Sequence, residues 1–146
     1  FEYNIFRFFN LYGGNQRPEF VIPKFKKAID NNEKIKIYGD GKQIRSYCNI
    51  LDAIDGINRI IENGKKNTTY NIGNNNDPIS VIDLANKMVN LSKKNIKIEK
   101  IAFEKSDRSA KREIYKRQPD ISKITQDLNY SPKINIDKGL KQLFSN

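Results

Sequence analysis

Apolar residues recur along the chain in two alternating patterns. Short runs rich in aromatic and β-branched residues predict strands. These runs are Tyr3–Phe9, Ile35–Tyr38, Arg45–Asn49, Thr68–Ile72 and Ile96–Ile101. Between them, apolar residues spaced by three or four positions predict helices that begin near Val21, Leu51, Val81, Ile121 and Ile136. Because strands alternate with helices throughout, the sequence predicts an α/β fold, and the aromatic run Tyr3–Phe9 is expected to be a buried strand.

Capping signals mark several helix boundaries. Pro23 falls in the first turn of the first helix, where its missing N–H costs little. Ser80 followed by Asp83 resembles a capping box, and Asn63-Gly64 predicts the end of the second helix. That helix, from about Leu51 to Glu62, is expected to bury one apolar stripe. The stripe consists of Ala53, Ile54, Ile57, Ile60 and Ile61.

The stretch IKIYGDGKQIRSYCNI, residues 35–50, contains a tight turn between two predicted strands. Gly39-Asp40-Gly41 supplies the positive φ angles that a hairpin turn needs, so the sequence predicts a hairpin. It does not form a phosphate-binding glycine motif, because Ile44 stands where the third glycine of G-x-G-x-x-G would be. Tyr38 and Lys42 have the spacing of a catalytic Tyr-x-x-x-Lys pair, but the glycines between them disfavour the helix that this pair requires.

Two stretches are expected to be loops. Asn10–Pro18 is rich in turn-forming residues and follows the first predicted strand. Phe103–Pro119 is the most charged part of the chain and has no clear periodicity, and loops of this length are often functional.

Length and composition narrow the chemistry. The chain has 146 residues, which fits a single domain over residues 1–146. One cysteine, Cys48, excludes an internal disulfide, and the absence of histidine excludes Ser-His-Asp catalysis and nearly all zinc sites. We expect Cys48 to be a packed thiol in a cytoplasmic protein. No apolar run approaches the ~20 residues of a membrane span, so no membrane partner is expected, and the start within a strand indicates a fragment of a longer protein.

The formal charge of +10 leaves several interpretations open. It is compatible with nucleic-acid binding, with lysines on solvated helix faces, or with a positive site for an anionic ligand. Arg45 lies within a predicted strand, where a buried guanidinium group needs an anionic partner, either a diphosphate or an internal carboxylate. Arg117, just before Pro119-Asp120, is either a second anion-binding residue or a solvated loop residue.

The order of several short motifs resembles a known family. The motifs are Arg7-Phe-Phe-Asn-Leu-Tyr-Gly13, Val21-Ile-Pro-Lys-Phe25, Ile35-Lys-Ile-Tyr-Gly-Asp-Gly-Lys-Gln-Ile-Arg45, Tyr70-Asn-Ile-Gly73 and Arg117-Gln-Pro-Asp-Ile-Ser122. This series is similar to the carboxyl-terminal half of the extended short-chain dehydrogenases that act on nucleotide sugars, the NAD-dependent epimerase/dehydratase family. The resemblance implies the last portion of a Rossmann-type sheet plus a small mixed α/β substrate-binding lobe.

The resemblance also implies a role for each matching residue. Asn10 and Arg45 would contact the diphosphate of the substrate, together with Arg117 or, alternatively, Arg112. The nucleotide base would lie against Val21, with Pro23 as a further candidate, and beside the strand residues Lys36 and Tyr38.

In the family, the NAD-binding glycine turn and the catalytic Tyr-x-x-x-Lys pair belong to the half that would precede Phe1. The resemblance therefore implies NAD in the full-length enzyme and no catalytic, cofactor or metal residue on this chain. Its substrate would be a UDP- or dTDP-linked sugar, with no nucleic-acid partner, and the full-length enzyme would be a homodimer. Gly14 in place of proline, and Asn49-Ile-Leu-Asp52 in place of Y-V-x-D, depart from the family pattern. Epimerase, 4,6-dehydratase and decarboxylase stay open as reactions.

Overall fold

The computed structural model of the protein describes residues 1–102 and 114–145. Within these residues the strands are β1 (Asn4–Phe8), β2 (Leu11–Tyr12), β3 (Ile35–Tyr38), β4 (Ile44–Ser46), β5 (Cys48–Asn49), β6 (Thr68–Ile72), β7 (Pro78–Ser80), β8 (Ile98–Ile101) and β9 (Lys116–Arg117). The helices are α1 (Val21–Asp30), α2 (Ile50–Asn63), α3 (Val81–Ser92), α4 (Ser122–Leu128) and α5 (Ile136–Phe144). The predicted α/β class is confirmed.

The chain forms two compact units, and each is built from separate stretches of sequence. The first unit contains Phe1–Gly14, Ser46–Pro78 and Gln118–Leu143, and the second contains Asn15–Arg45, Ile79–Arg117 and Phe144–Asn146. A single domain over residues 1–146 stays a prediction.

The first unit is built around a parallel strand pair. β1 pairs with β6 from Asn4 opposite Thr68 to Phe8 opposite Ile72, and β2 pairs in parallel with β5. Helices α2 and α4 pack against β6. Their buried side chains form one core cluster, which includes Ala53, Ile60, Tyr70, Ile72, Ile124 and Tyr130.

The first strand is confirmed, but its predicted burial is wrong. Ile5 is 46% exposed and Phe8 is 48% exposed. Within the described residues β1 has a neighbouring strand only on the β6 side, so its other edge and much of its apolar surface are uncovered. The segment after it is less irregular than expected, because β2 interrupts the predicted loop Asn10–Pro18.

The second unit is built around another parallel pair. β3 pairs with β8 from Ile35 opposite Ile98 to Tyr38 opposite Ile101. Helices α1 and α3 pack against each other and against β3. This arrangement buries Phe25, Ile29, Ile35, Ile37, Leu84 and Met88. A separate three-stranded sheet has the order β7-β4-β9.

The turn at Gly39–Gly41 is confirmed, but the hairpin is wrong. Both glycines have positive φ, 76° and 75°. The flanking strands nevertheless lie in different sheets, since β3 pairs with β8 and β4 with β7 and β9. The turn is hydrogen-bonded to the N terminus of α3 instead, where the N–H of Ile82 donates to the Gly41 carbonyl at 2.9 Å. The predicted single strand Arg45–Asn49 is also wrong. It is divided into two short strands in different sheets, because β4 pairs with β7 and β9 whereas β5 pairs with β2.

The apolar stripe predicted for α2 is wrong in part. Ile54 is 44% exposed and Ile61 is 71% exposed, whereas Ala53 and Ile60 are buried as expected. The helix faces the core through Gly56, where an added Cβ would lie 3.1 Å from the Tyr130 ring. Because Gly56 lies at this close contact, the buried face of α2 differs from the face that the isoleucine spacing alone indicates.

The capping predictions are confirmed. In α3 the Ser80 hydroxyl accepts the N–H of Asp83 at 3.1 Å, and α2 ends with Gly64 as its C-cap. Pro23 lies in the first turn of α1, as expected. None of the helices in the described part of the chain is both long and apolar enough to cross a membrane.

Cys48 is a buried thiol, as the sequence predicts. It is 0% exposed, and its Sγ atom lies 3.7 Å from the Tyr130 hydroxyl oxygen. Burial raises the pKa of the Cys48 thiol to about 11. The native thiol is therefore protonated at pH 8 and does not act as a nucleophile.

We expect Cys48 to resist iodoacetamide at pH 8 in the native chain and to react at once in denaturant, as followed by mass spectrometry. A thiol whose folded pKa lies above its unfolded value of about 8.5 contributes stability that is lost as pH rises above that value. The free energy of unfolding should therefore fall as the pH rises from about 9 toward 11, in part because of Cys48. Alkylation of the native protein at the rate of a free thiol would contradict the burial.

Candidate functional site

Arg45 and Arg117 are distant in sequence but lie opposite each other in the second unit. β4 and β9 are parallel, and their register pairs Arg45 with Arg117 and Ile44 with Lys116. Laterally paired residues project from the same face of a sheet, so both arginine side chains leave the sheet on one side. Like charges directly opposite each other destabilise a strand pair, and an anion between them would remove that repulsion. Two guanidinium groups on one face can bind the oxygens of a diphosphate through charge-assisted hydrogen bonds.

The backbone of the sheet holds the half-buried Arg45 side chain. Its Nη1 atom donates to the carbonyl oxygen of Ile44 at 2.8 Å and to that of Tyr115 at 3.4 Å. Tyr115 leads directly into β9, and its carbonyl also accepts the N–H of Ile44 at 2.7 Å. The guanidinium group is therefore held beside the strand that carries Arg117, while Arg117 itself is exposed. Such positioning lowers the ordering cost of binding an anion.

The Gly39–Lys42 turn fixes the start of β4. The Asp40 carboxylate accepts the backbone N–H of Lys42 at 2.8 Å, closing the turn from within. Gly41 has a positive φ and is so closely packed that an added Cβ would lie 3.0 Å from the Cβ of Ile82. The turn therefore sets where β4 begins, and through β4 it sets the position of Arg45.

The residues expected near the base lie on two packed elements of the second unit. Val21 is the first residue of α1, and Lys36 and Tyr38 lie on β3, against which α1 packs. Residues two apart on a strand share a face, so Lys36 and Tyr38 project away from the buried side chains of β3. Val21 and Tyr38 are half-buried, as is Pro23, whereas Lys36 is exposed.

Asn10 belongs to the first unit. Its φ is 42°, its side-chain amide donates to the Ser46 carbonyl at 3.0 Å, and its own carbonyl accepts the N–H of Cys48 at 3.1 Å. These contacts join the segment between β1 and β2 to Ser46 and to the start of β5. The other five predicted site residues belong to the second unit, and the alternative diphosphate residue Arg112 lies outside the described residues.

The excess positive charge is confined to the second unit. Its described residues include fifteen Lys and Arg against six Asp and Glu, whereas the first unit has eight of each kind. A general bias toward lysine would raise the charge of both units, but lysines in the first unit are matched by acidic residues. The unit that carries Arg45 and Arg117 therefore has the field that attracts an anionic ligand.

Two residues that the sequence interpretation treated as departures from the family pattern have structural roles. The Asn49 side chain accepts the N–H of Leu51 at 3.0 Å and caps α2. Asp52 is 5% exposed, and its carboxylate accepts the N–H groups of Lys133 and Ile134 at 2.9 and 3.0 Å. The acidic residue in the first helical turn was a visible helix signal, but nothing local linked Asp52 to a segment so distant in sequence.

The glycine-rich phosphate turn of a dinucleotide site is not found among the described residues. In doubly wound folds the pyrophosphate of NAD lies against a glycine-rich turn between a parallel strand and a helix. Here α1, α2 and α3 begin after Phe20, Asn49 and Ser80, and none of these turns is glycine-rich. The closely spaced Gly39 and Gly41 lie between two strands instead.

A comparison with solved structures defines the class of fold. The chain is similar to UDP-glucuronic acid 4-epimerase from Bacillus cereus, solved in complex with UDP-glucuronic acid and NAD. The TM-score is 0.85 and the sequence identity 28%, over 97% of this chain and 43% of the epimerase. The chain thus has the fold of the last portion of a Rossmann-type sheet with a small mixed α/β lobe.

Sequence comparison gives the family. The model of the NAD dependent epimerase/dehydratase family matches residues 1–73. UDP-N-acetyl-alpha-D-glucosaminuronate decarboxylase from Bacillus cytotoxicus is 30% identical over 141 residues, which are 94% of this chain and 44% of that protein. dTDP-D-glucose 4,6-dehydratase from Homo sapiens is 32% identical over 136 residues, which are 91% of this chain and 38% of that protein. The chain belongs to the NAD-dependent epimerase/dehydratase family, and it spans less than half the length of these curated relatives.

Proposed function

We propose that this chain is the nucleotide-sugar-binding part of an NAD-dependent epimerase, 4,6-dehydratase or decarboxylase. In this proposal Arg45 and Arg117 bind the diphosphate of a UDP- or dTDP-linked sugar, and the contact that the resemblance implies for Asn10 stays a prediction. Val21, Lys36 and Tyr38 contact the base. The chain contributes orientation to the reaction, because a held diphosphate fixes where the attached sugar lies.

The observation that carries the proposal is the register of β4 and β9. It pairs the two arginines that the sequence offers as candidate anion-binding residues and that the family resemblance implies as diphosphate ligands. The concentration of positive charge in the same unit supports an anionic ligand. The names of the relatives support the sugar class, since they include a UDP-sugar decarboxylase and a dTDP-sugar dehydratase.

Titration calorimetry with UDP and dTDP tests this function against nucleic-acid binding, the alternative that the charge favours. We expect saturable binding of one UDP or dTDP per chain. A nucleic-acid module would instead bind single- or double-stranded oligonucleotides with an affinity that falls steeply as salt rises. Tight, salt-dependent oligonucleotide binding without UDP or dTDP binding would contradict the proposal.

We also expect this chain alone to show no turnover. The described residues include no glycine-rich NAD turn before a helix, and a bound substrate without an acceptor held beside it cannot transfer its hydride. Chromatography and mass spectrometry of UDP- and dTDP-linked sugars incubated with the chain and NAD should show no new nucleotide sugar; product formation is measured because these reactions can return the hydride and leave no net reduced nicotinamide. A new epimerised, dehydrated or decarboxylated nucleotide sugar would contradict the assignment of this chain to substrate binding alone. A cytoplasmic location and a homodimeric longer protein stay predictions.

A further inference from the structure

Lys24 differs from the lysine two positions after it on α1. Lys26 forms an ion pair with Asp30 at 2.9 Å, and its ammonium group lies 5.2 Å from the centroid of the Phe144 ring. Lys24 has no acidic partner in the described part of the chain. Its Nζ atom lies instead 5.4 Å from the centroid of the Tyr38 ring. The charge of Lys24 is therefore held at an aromatic side chain rather than neutralised by a carboxylate.

This places the ammonium group at the residues proposed for the base. Lys24 follows Val21 by three positions, and residues three apart lie on the same face of a helix. Tyr38 is the last residue of β3. A cation over an aromatic ring is attracted by the ring's electron density, yet an ammonium group keeps three N–H donors and accepts no hydrogen bond. Lys24 thus offers donors to a neighbouring ligand and no acceptor.

We propose that Lys24 selects the base of the nucleotide by donating a hydrogen bond to a carbonyl oxygen. Uracil and thymine carry a carbonyl at position 4, whereas cytosine carries an amino group there, which is a donor. At position 4 an ammonium group can donate to the first two bases, whereas it finds no acceptor in the amino group of the third. Lys24 is thus a specificity-determining residue for UDP or dTDP over CDP. The inference rests on the proposed function, since it requires a nucleotide beside α1 and β3.

UDP and CDP make a matched pair of probes, because they differ only at the base edge and carry the same ribose and diphosphate. We expect the chain to bind UDP about tenfold more tightly than CDP, the range of a hydrogen bond to a charged group. Lys24→Met keeps the aliphatic stem and removes the charge, and it should bring the two dissociation constants within about twofold of each other. Lys27→Met, an exposed lysine on the same helix, is the control and should keep the preference. Lys24→Arg should restore it.

Several outcomes separate the inference from the function beneath it. An unchanged UDP-to-CDP ratio in Lys24→Met, or equal binding of both nucleotides by the unsubstituted chain, overturns the role of Lys24 and leaves diphosphate binding intact. Arg45→Ala should weaken UDP and CDP equally and keep their ratio. If the unsubstituted chain binds neither nucleotide, the proposed function fails and the inference fails with it.

Discussion

Arg45→Ala is expected to weaken the binding of UDP to the chain by about 10- to 100-fold. Hydrogen bonds to charged groups are worth about 1.5–3 kcal/mol, and each 1.4 kcal/mol is a tenfold change in affinity. Arg45→Lys should recover little of the loss, because an ammonium group cannot reproduce the planar fork that fits two phosphate oxygens. Titration calorimetry with UDP, on variants shown by circular dichroism to be folded, measures the effect.

Lys42→Ala is the matched control for charge. Lys42 is exposed in the turn just before β4, so the substitution removes one positive charge close in sequence to Arg45 without touching the paired arginines. We expect its effect on UDP affinity to stay within about twofold, since exposed charges are screened by salt. Equal losses in Lys42→Ala and Arg45→Ala would reduce the role of Arg45 to general attraction. No loss in Arg45→Ala would remove it from the site.

Gly139→Ala is expected to destabilise the first unit by about 3 kcal/mol, the upper part of the range for overpacked cores. Gly139 lies inside α5, where helix propensity alone would predict a gain of about 1 kcal/mol from alanine. Packing predicts a loss of stability instead. A Cβ at this position would overlap the Tyr12 hydroxyl and lie 2.7 Å from Cζ of the same ring. Tyr12 is 2% exposed, so its ring cannot move toward solvent.

Urea unfolding followed by circular dichroism measures this change, with Gly14→Ala as the control. Gly14 has no atom within 4 Å of an added Cβ, so its substitution should change the free energy of unfolding by less than about 0.5 kcal/mol. Adding Tyr12→Phe to Gly139→Ala removes the overlapping hydroxyl and should recover part of the loss. A Gly139→Ala chain as stable as the unsubstituted one would show that α5 does not pack on Tyr12 in solution.

The elements of this fold were predictable where their signals are local. Helix α3 follows from a capping box and a run of apolar residues, and the positive φ angles follow from the glycines at 39 and 41. The pairing of strands was not predictable from the same residues. The glycine turn joins strands of two different sheets, because β3 and β4 find their partners in β8 and β9, which lie far along the chain.

Burial was predictable only where periodicity and packing agree. The isoleucines of α2 indicated one stripe, but close contacts at Gly56 and the backbone partners of Asp52 select a different face and leave Ile54 and Ile61 exposed. Small residues and carboxylates in a helix give no hydrophobic signal. Their effect depends on the segments that they meet in the folded chain.

For the candidate site, the sequence identified residue types and the structure supplied their arrangement. Arg45 could be singled out as a strand arginine, whereas Arg117 was open between anion binding and a solvated loop until the family resemblance favoured the first. β9 has two residues, too few for any periodicity, so its pairing with β4 was invisible in the sequence. The contact of Lys24 with Tyr38 was equally hidden, because a lysine on a helix gives no sign of the ring over which it lies.

A crystal structure of the chain with UDP tests the paired-arginine site most directly. We expect guanidinium nitrogens of both Arg45 and Arg117 at about 2.7–2.9 Å from phosphate oxygens, the range of charge-assisted hydrogen bonds. The uracil ring should lie beside Tyr38. A UDP molecule whose diphosphate contacts neither arginine, or contacts only residues of the first unit, would contradict the site.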